Sequence, residues 1–106
     1  MSGKTFWEKV KVKINANIYF EGAVQSRTII MQDGTRKTLG VYLPGEYVFD
    51  SENAEVVKIT KGEVEVLFPN DEKWREIGLG ESYNVPSNCT FQVRCNQITE
   101  YVCDYL

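Results

Sequence analysis

A chain of 106 residues with 42% apolar and 25% charged residues is long enough to bury one hydrophobic core and too apolar to stay unfolded. Its formal net charge is −3, its twelve lysines and arginines are scattered, and it has no histidine. These features exclude a basic stripe for nucleic acid, Ser-His-Asp or Cys-His nucleophile systems, and the imidazole-rich ligand sets of zinc, copper and non-haem iron.

Residues 1–6 read as a loose end, and the charges spaced through residues 1–13 leave no apolar stretch for a signal peptide or a spanning helix, which predicts a cytoplasmic protein. Val10, Val12 and Ile14 alternate with Lys9, Lys11 and Lys13, the pattern of a half-exposed strand whose lysines blunt a sheet edge. After a turn at 15–17, Ile18-Tyr19-Phe20 and Val24 bracket Glu21-Gly22, and the Asp33-Gly34 pair predicts a tight hairpin between strands at 27–31 and 36–43. In the second of these, Leu39, Val41 and Leu43 share one face, and Thr38, Gly40 and Tyr42 share the other. Gly40 removes a side chain where a backbone or a ligand must come close.

Pro44-Gly45 turns the chain into a strand with Tyr47 and Phe49 on one side, and 51–54 is a loop. Strands follow at 55–60, with Val57 and Ile59 inward, and at 63–68, with Val64, Val66 and Phe68 opposite Glu63 and Glu65. A strand at 73–77 carries Trp74, which reads like Trp7 as a packing or subunit-contact residue. Gly80, Tyr83, Val85 and Pro86 describe a strand that ends in the turn Pro86-Ser87-Asn88 and leaves as 90–95. The stretch 98–106 places Tyr101, Cys103 and Tyr105 on one face.

About ten short strands at near-regular spacing and no sustained 3.6-residue period predict a single all-β domain over residues 1–106, closed as a sandwich or jelly-roll barrel with a cavity in its mouth. Cys89, Cys95 and Cys103, odd in number and without C-x-x-C spacing, read as reduced and buried. The short acidic clusters at 50–53 and 70–72 lack EF-hand spacing, and no glycine-rich loop opens a helix, so neither a metal nor a nucleotide cofactor is expected.

Glu55 followed by Gly62, then Gly80 followed by Pro86, resembles the end of the first and the start of the second cupin motif. The cupin metal-ligand histidines would fall on Phe49 and Ser51 (or Val48 and Asp50) and on Phe91, so only Glu55 remains of that set. A closer resemblance covers 19–106. Tyr-Phe-Glu-Gly at 19–22, Thr-Leu-Gly-Val-Tyr-Leu-Pro-Gly-Glu-Tyr-Val-Phe at 38–49, Gly-Glu-Val-Glu-Val-Leu-Phe-Pro at 62–69, Tyr-Asn-Val-Pro at 83–86 and Tyr-Val-Cys-Asp-Tyr at 101–105 are similar to the small cupin-type pyrimidine/purine nucleoside phosphorylases. Residues 1–18 diverge from that pattern. The resemblance implies a metal-independent pentosyltransferase, a homodimer without cofactor, that splits purine and pyrimidine nucleosides with inorganic phosphate into free base and ribose 1-phosphate.

Such chemistry needs an anion held beside a developing oxocarbenium centre, a carboxylate for the ribose hydroxyls, and flat rings for the base. Arg36 is the first candidate for phosphate, or else a solvated strand-end residue; Arg94 is the second, with parity opposite to Phe91. Glu46 and Glu55 are candidate catalytic carboxylates, with turn completion and plain exposure as their structural alternatives. Tyr42, Tyr83, Phe91 and Tyr101 are candidate substrate-stacking rings, or core. A non-catalytic cupin binding a sugar, nucleoside or other metabolite, and an interaction module using exposed strand edges, remain open as alternatives.

Overall fold

The computed structural model describes residues 5–106, so the first four positions of the expected loose end lie outside the described residues. Eleven strands run in chain order: β1 (Lys11–Val12), β2 (Asn17–Tyr19), β3 (Val24–Ile30), β4 (Arg36–Tyr42), β5 (Gly45–Asp50), β6 (Glu55–Lys61), β7 (Val64–Leu67), β8 (Arg75–Ile77), β9 (Ser82–Val85), β10 (Thr90–Cys95) and β11 (Thr99–Tyr105). A single 3-10 turn, Phe20–Gly22, follows β2, and among the described residues no helix is long and apolar enough to cross a membrane.

The strands form two antiparallel sheets. The larger has seven strands in the order β1-β3-β4-β11-β6-β9, with β2 beside β1 on the same edge of β3, and the smaller has four in the order β5-β10-β7-β8. The sheets face one another across one apolar cluster in which Ile59, Val66 and Val93 have no exposed surface. Each such side chain contributes about 1.5–3 kcal/mol by leaving water. Every one of these residues occupies the inward parity of an alternating strand, which is why the period-two pattern places them correctly.

The β3–β4 hairpin forms as expected at 31–35. Asp33 Oδ1 accepts from the backbone N–H and the hydroxyl of Thr35 at 2.9 and 2.7 Å, and Gly34 supplies a φ of +88°. One expectation needs correction. The lysine-rich segment has the right period, yet only Lys11–Val12 form ladder pairs with β3, with the Lys13 N–H adding one bond to the Thr28 carbonyl at 2.9 Å, and Val12 and Ile14 are 52% and 88% exposed. In β4 the more polar face turns inward: Thr38, Gly40 and Tyr42 are buried, while Leu39 on the opposite face is 41% exposed. The reason is the cavity that this face lines.

Candidate active site

Between the sheets, at the end where β4 begins and β11 ends, lies a cavity of about 270 Å³. Its floor is the inward face of the larger sheet, and strand register sets the order of residues on it. At the outermost level Tyr105 pairs with Glu55 of β6, and the Arg36 guanidinium sits 4.0 Å above the Tyr105 ring. One step deeper, Thr38 pairs with Cys103, and Cys103 with Val57, which pairs in turn with Tyr83. Deeper still, Ser26 pairs with Gly40 and Gly40 with Tyr101.

Gly40 is required there: a Cβ at its position would stand 2.1 Å from Tyr101 Cζ, so the phenol ring lies flat against the strand backbone. That ring stacks on Tyr42 with centroids 4.4 Å apart, and the Tyr42 hydroxyl lies 3.5 Å from that of Tyr83. The opposite wall is hydrocarbon. Phe49 and Phe91 are register partners on β5 and β10, with centroids 5.8 Å apart, and Phe68 stacks on Phe91 at 5.4 Å.

Charge is confined to the outer end. Arg36 forms no ion pair among the described residues, where the pairs are Lys37 with Asp104, Arg75 with Asp71 and Arg94 with Glu65. Glu55 lies two strands away from it, about 10 Å at ordinary sheet spacing. Burial pushes the Glu55 carboxyl above its ordinary range, and the Cys103 thiol and the Arg36 charge only partly offset that rise. Burial also lifts the Cys103 thiol and the Tyr105 phenol, each to about 12, so both stay protonated. Thr38 Oγ1 and the Tyr105 hydroxyl lie 3.4 Å apart.

One loop frames the mouth. The segment 50–53 lines the cavity, and Ser51 fastens it to the turn after β9. Ser51 Oγ donates to the Pro86 carbonyl at 2.6 Å and accepts from the Cys89 N–H at 3.0 Å, while the Ser51 N–H donates to the Cys89 carbonyl at 2.8 Å. Beside the other end of β4, where Tyr19 pairs with Val24 and Val24 with Tyr42, Phe20 and Glu21 hold left-handed φ values of 51° and 55°, and the Phe20 ring packs 5.0 Å from Tyr47 and 5.4 Å from Phe49.

Of the residues expected to act, the cavity brings together Arg36, Tyr42, Glu55, Tyr83, Phe91 and Tyr101. Glu46 and Arg94 lie outside it. Glu46 alternates with the inward Tyr47 and is exposed. Arg94 is its register partner on the same outer face, where its Nε bonds Glu65 at 2.9 Å and its guanidinium covers Trp74 at 3.9 Å. Tyr19, Thr38, Ser51, Cys103 and Tyr105 line the cavity and were not singled out as site residues. Parity with Tyr101 would have found Cys103 and Tyr105, and parity with Arg36 would have found Thr38.

The positions where a cupin holds its metal also converge on this cavity, but Phe49 and Phe91 carry no donor atom and Ser51 spends its hydroxyl on the backbone. Glu55 alone is no ligand set, and no group of three His, Cys, Asp or Glu among the described residues could hold an ion. The residues present therefore do not fit the cupin metal.

Two antiparallel sheets closed around a side-chain-lined cavity define a protein of the cupin class. The fold agrees with that of the EutQ protein of Clostridium difficile (TM-score 0.67, 9% identity, covering 77% of this chain and 66% of that one). The family model for pyrimidine/purine nucleoside phosphorylase matches residues 14–105, and the chain belongs to that family. Proteins of that name from Sulfurovum sp. (strain NBC37-1) and Hydrogenovibrio crunogenus are 49% and 44% identical over 100 residues, covering 94% of this chain and 97% and 96% of theirs. A solved structure of a protein of unknown function from Acinetobacter sp. ADP1 superposes with a TM-score of 0.91 at 32% identity, covering 95% of this chain and 98% of that one.

Proposed function

We propose that this chain is a cytoplasmic, metal-independent enzyme that phosphorolyses purine and pyrimidine nucleosides to free base and ribose 1-phosphate. The observation that carries the reading is Arg36: a guanidinium without a carboxylate partner, held over Tyr105 at the mouth of a cavity whose deeper walls are aromatic. In this reaction a phosphate oxygen forms a bond to the anomeric carbon as the C1′–N bond breaks, and the bonding pair and a proton leave with the base. Arg36 holds the phosphate by its paired N–H groups, with the Thr38 hydroxyl beside it on the same strand face. Glu55 receives the ribose hydroxyls across the sheet. Its buried carboxyl, drawn toward the neutral form, tolerates a nearby phosphate dianion better than a fully ionised one would. The base stacks on the Phe49–Phe91 wall, where ring faces accept any base, with its edge toward the phenol floor.

The remaining parts of the proposal are a homodimer, for which outward Leu39 and Leu43, each 41% exposed, offer apolar contact, and one domain over the whole chain. Sedimentation of the purified protein checks the first. The function is tested by incubation with uridine or inosine, with and without phosphate and with EDTA. Phosphate-dependent, chelator-insensitive release of base is expected, with kcat/KM for phosphate falling at least about tenfold in Arg36→Ala, the loss of one charge-assisted bond. No base release, or release independent of phosphate, overturns the reading.

A further inference from the structure

We propose that the hydroxyl groups of Tyr83 and Tyr101 read the edge of the nucleobase as interchangeable donors and acceptors, so that one pocket accepts bases carrying either an oxo or an amino group at the same ring position. This rests on the phosphorolytic reading above and adds to it the device that sets base selectivity.

Tyr42, Tyr83 and Tyr101 come from β4, β9 and β11, are 4%, 5% and 9% exposed, and turn their rings to the cavity floor. Their hydroxyls are poorly satisfied by the protein. The Tyr42–Tyr83 contact is long, at 3.5 Å, and the Tyr101 hydroxyl has no hydrogen-bond partner among the described residues, although other polar side chains of the site do. The Tyr101 hydroxyl, open to the cavity and without a protein partner, and the Tyr83 hydroxyl, with only its long contact to Tyr42, are free to bond a group that arrives there. Their positions are fixed. Tyr101 is pressed flat on Gly40 and stacked on Tyr42, and the hydroxyl itself stands 2.4 Å from where a Gly40 Cβ would be.

The chemistry of these groups determines what they can recognise. A carboxylate only accepts, and an amide presents a fixed order of donor and acceptor; a phenol O–H rotates and serves as either. No charged side chain lies at this depth: Arg36 and Glu55 are both at the outermost level of the floor. Burial holds all three phenols well above the ordinary tyrosine range, so they remain neutral donors at any working pH. The opposite wall, Phe49 and Phe91, has no polar atom and contributes stacking alone. Edge recognition therefore falls to the floor.

The test compares matched pairs, uridine with cytidine and inosine with adenosine, in wild type, Tyr83→Phe and Tyr101→Phe. The proposal expects kcat/KM to fall about 3- to 30-fold for both members of each pair, the worth of one hydrogen bond, with the ratio within a pair moving less than about threefold. The ligand-free melting temperature should change little, since Tyr101→Phe removes no protein hydrogen bond and Tyr83→Phe removes only the long contact with Tyr42. Losses below about twofold, or a loss confined to the oxo or the amino member, overturn the proposal. Should wild type release no base, phosphorolysis fails by itself, and the edge reading is then judged by nucleoside-induced thermal shifts. Equal weakening of both members in the Phe variants supports it, and the absence of any nucleoside-induced shift in wild type overturns it.

Discussion

Replacing Gly40 with alanine tests the packing that shapes the cavity floor. The new Cβ would meet Tyr101 Cζ at 2.1 Å, Cε1 at 2.3 Å and the hydroxyl oxygen at 2.4 Å, so the ring must recede by about 1.3 Å to reach ordinary contact. It cannot do so freely, because Tyr42 stacks on it at 4.4 Å and the ring is 91% buried by the same neighbours (9% exposed). Overpacking of this kind costs about 1–3 kcal/mol and loss of the stack about 0.5–1.5, against a gain of about 0.5–1 for alanine over glycine in a strand. A net destabilisation of about 1–3 kcal/mol follows, or a melting temperature lower by several degrees. Urea unfolding at fixed protein concentration should show a lower midpoint with an unchanged slope. The decisive comparison is the same substitution in a Tyr101→Ala background, where the obstacle is gone and Gly40→Ala should be neutral or stabilising. Equal cost in both backgrounds would refute the claim that the Tyr101 ring is what Gly40 makes room for.

Glu55→Gln should lose at least about tenfold in kcat/KM for nucleoside while raising the melting temperature at neutral pH. The sign follows from burial: the native carboxyl binds its proton more tightly than the unfolded one, so wild-type stability falls as pH rises through the native pKa. The advantage of the amide should shrink as pH falls through that pKa and vanish below the ordinary carboxyl pKa of the unfolded chain, as melting curves across pH will show. Arg94→Ala removes a half-exposed pair with Glu65 and the cover over Trp74; it should cost about 0.5–2 kcal/mol in urea titrations and leave phosphate kinetics within about twofold of wild type. Ser51→Ala unties the segment 50–53 from the turn after β9 and should cost about 1–3 kcal/mol. Hydrogen exchange should then lose protection at the Cys89 amide while Val93 stays protected.

Most of the barrel was legible because its strands obey one rule, apolar residues on alternate positions facing a common core. Val64, Val66 and Phe68 against Glu63 and Glu65 is that rule in its plainest form, and Tyr47 and Phe49 carry it far enough to turn Glu46 outward. The rule fails where the interior is not apolar. On β4 the period leaves both faces open, Leu39 and Val41 on one and Thr38, Gly40 and Tyr42 on the other, and the structure buries the second, which lines the cavity. Gly40 did announce a close approach, although nothing local in the chain says that Tyr101 makes it. The segment 50–53 was legible as a loop and as acidic; its place at the mouth depends on the Ser51 bonds to Pro86 and Cys89, which no local pattern encodes. The lysine-rich segment shows the converse error, a correct period whose Val12 and Ile14 stay exposed.

The floor of the cavity is built by β4 and β11, whose register partners Gly40 and Tyr101 stand about sixty residues apart in the chain, and a connection of that length must be closed before either strand is rewarded for pairing. Topologies dominated by such contacts fold in milliseconds to seconds, orders of magnitude slower than helical bundles. The cavity floor and the native topology thus form together. A ligand held between both strands would act as a clasp across that step, slowing escape from the native state without needing to hasten entry into it.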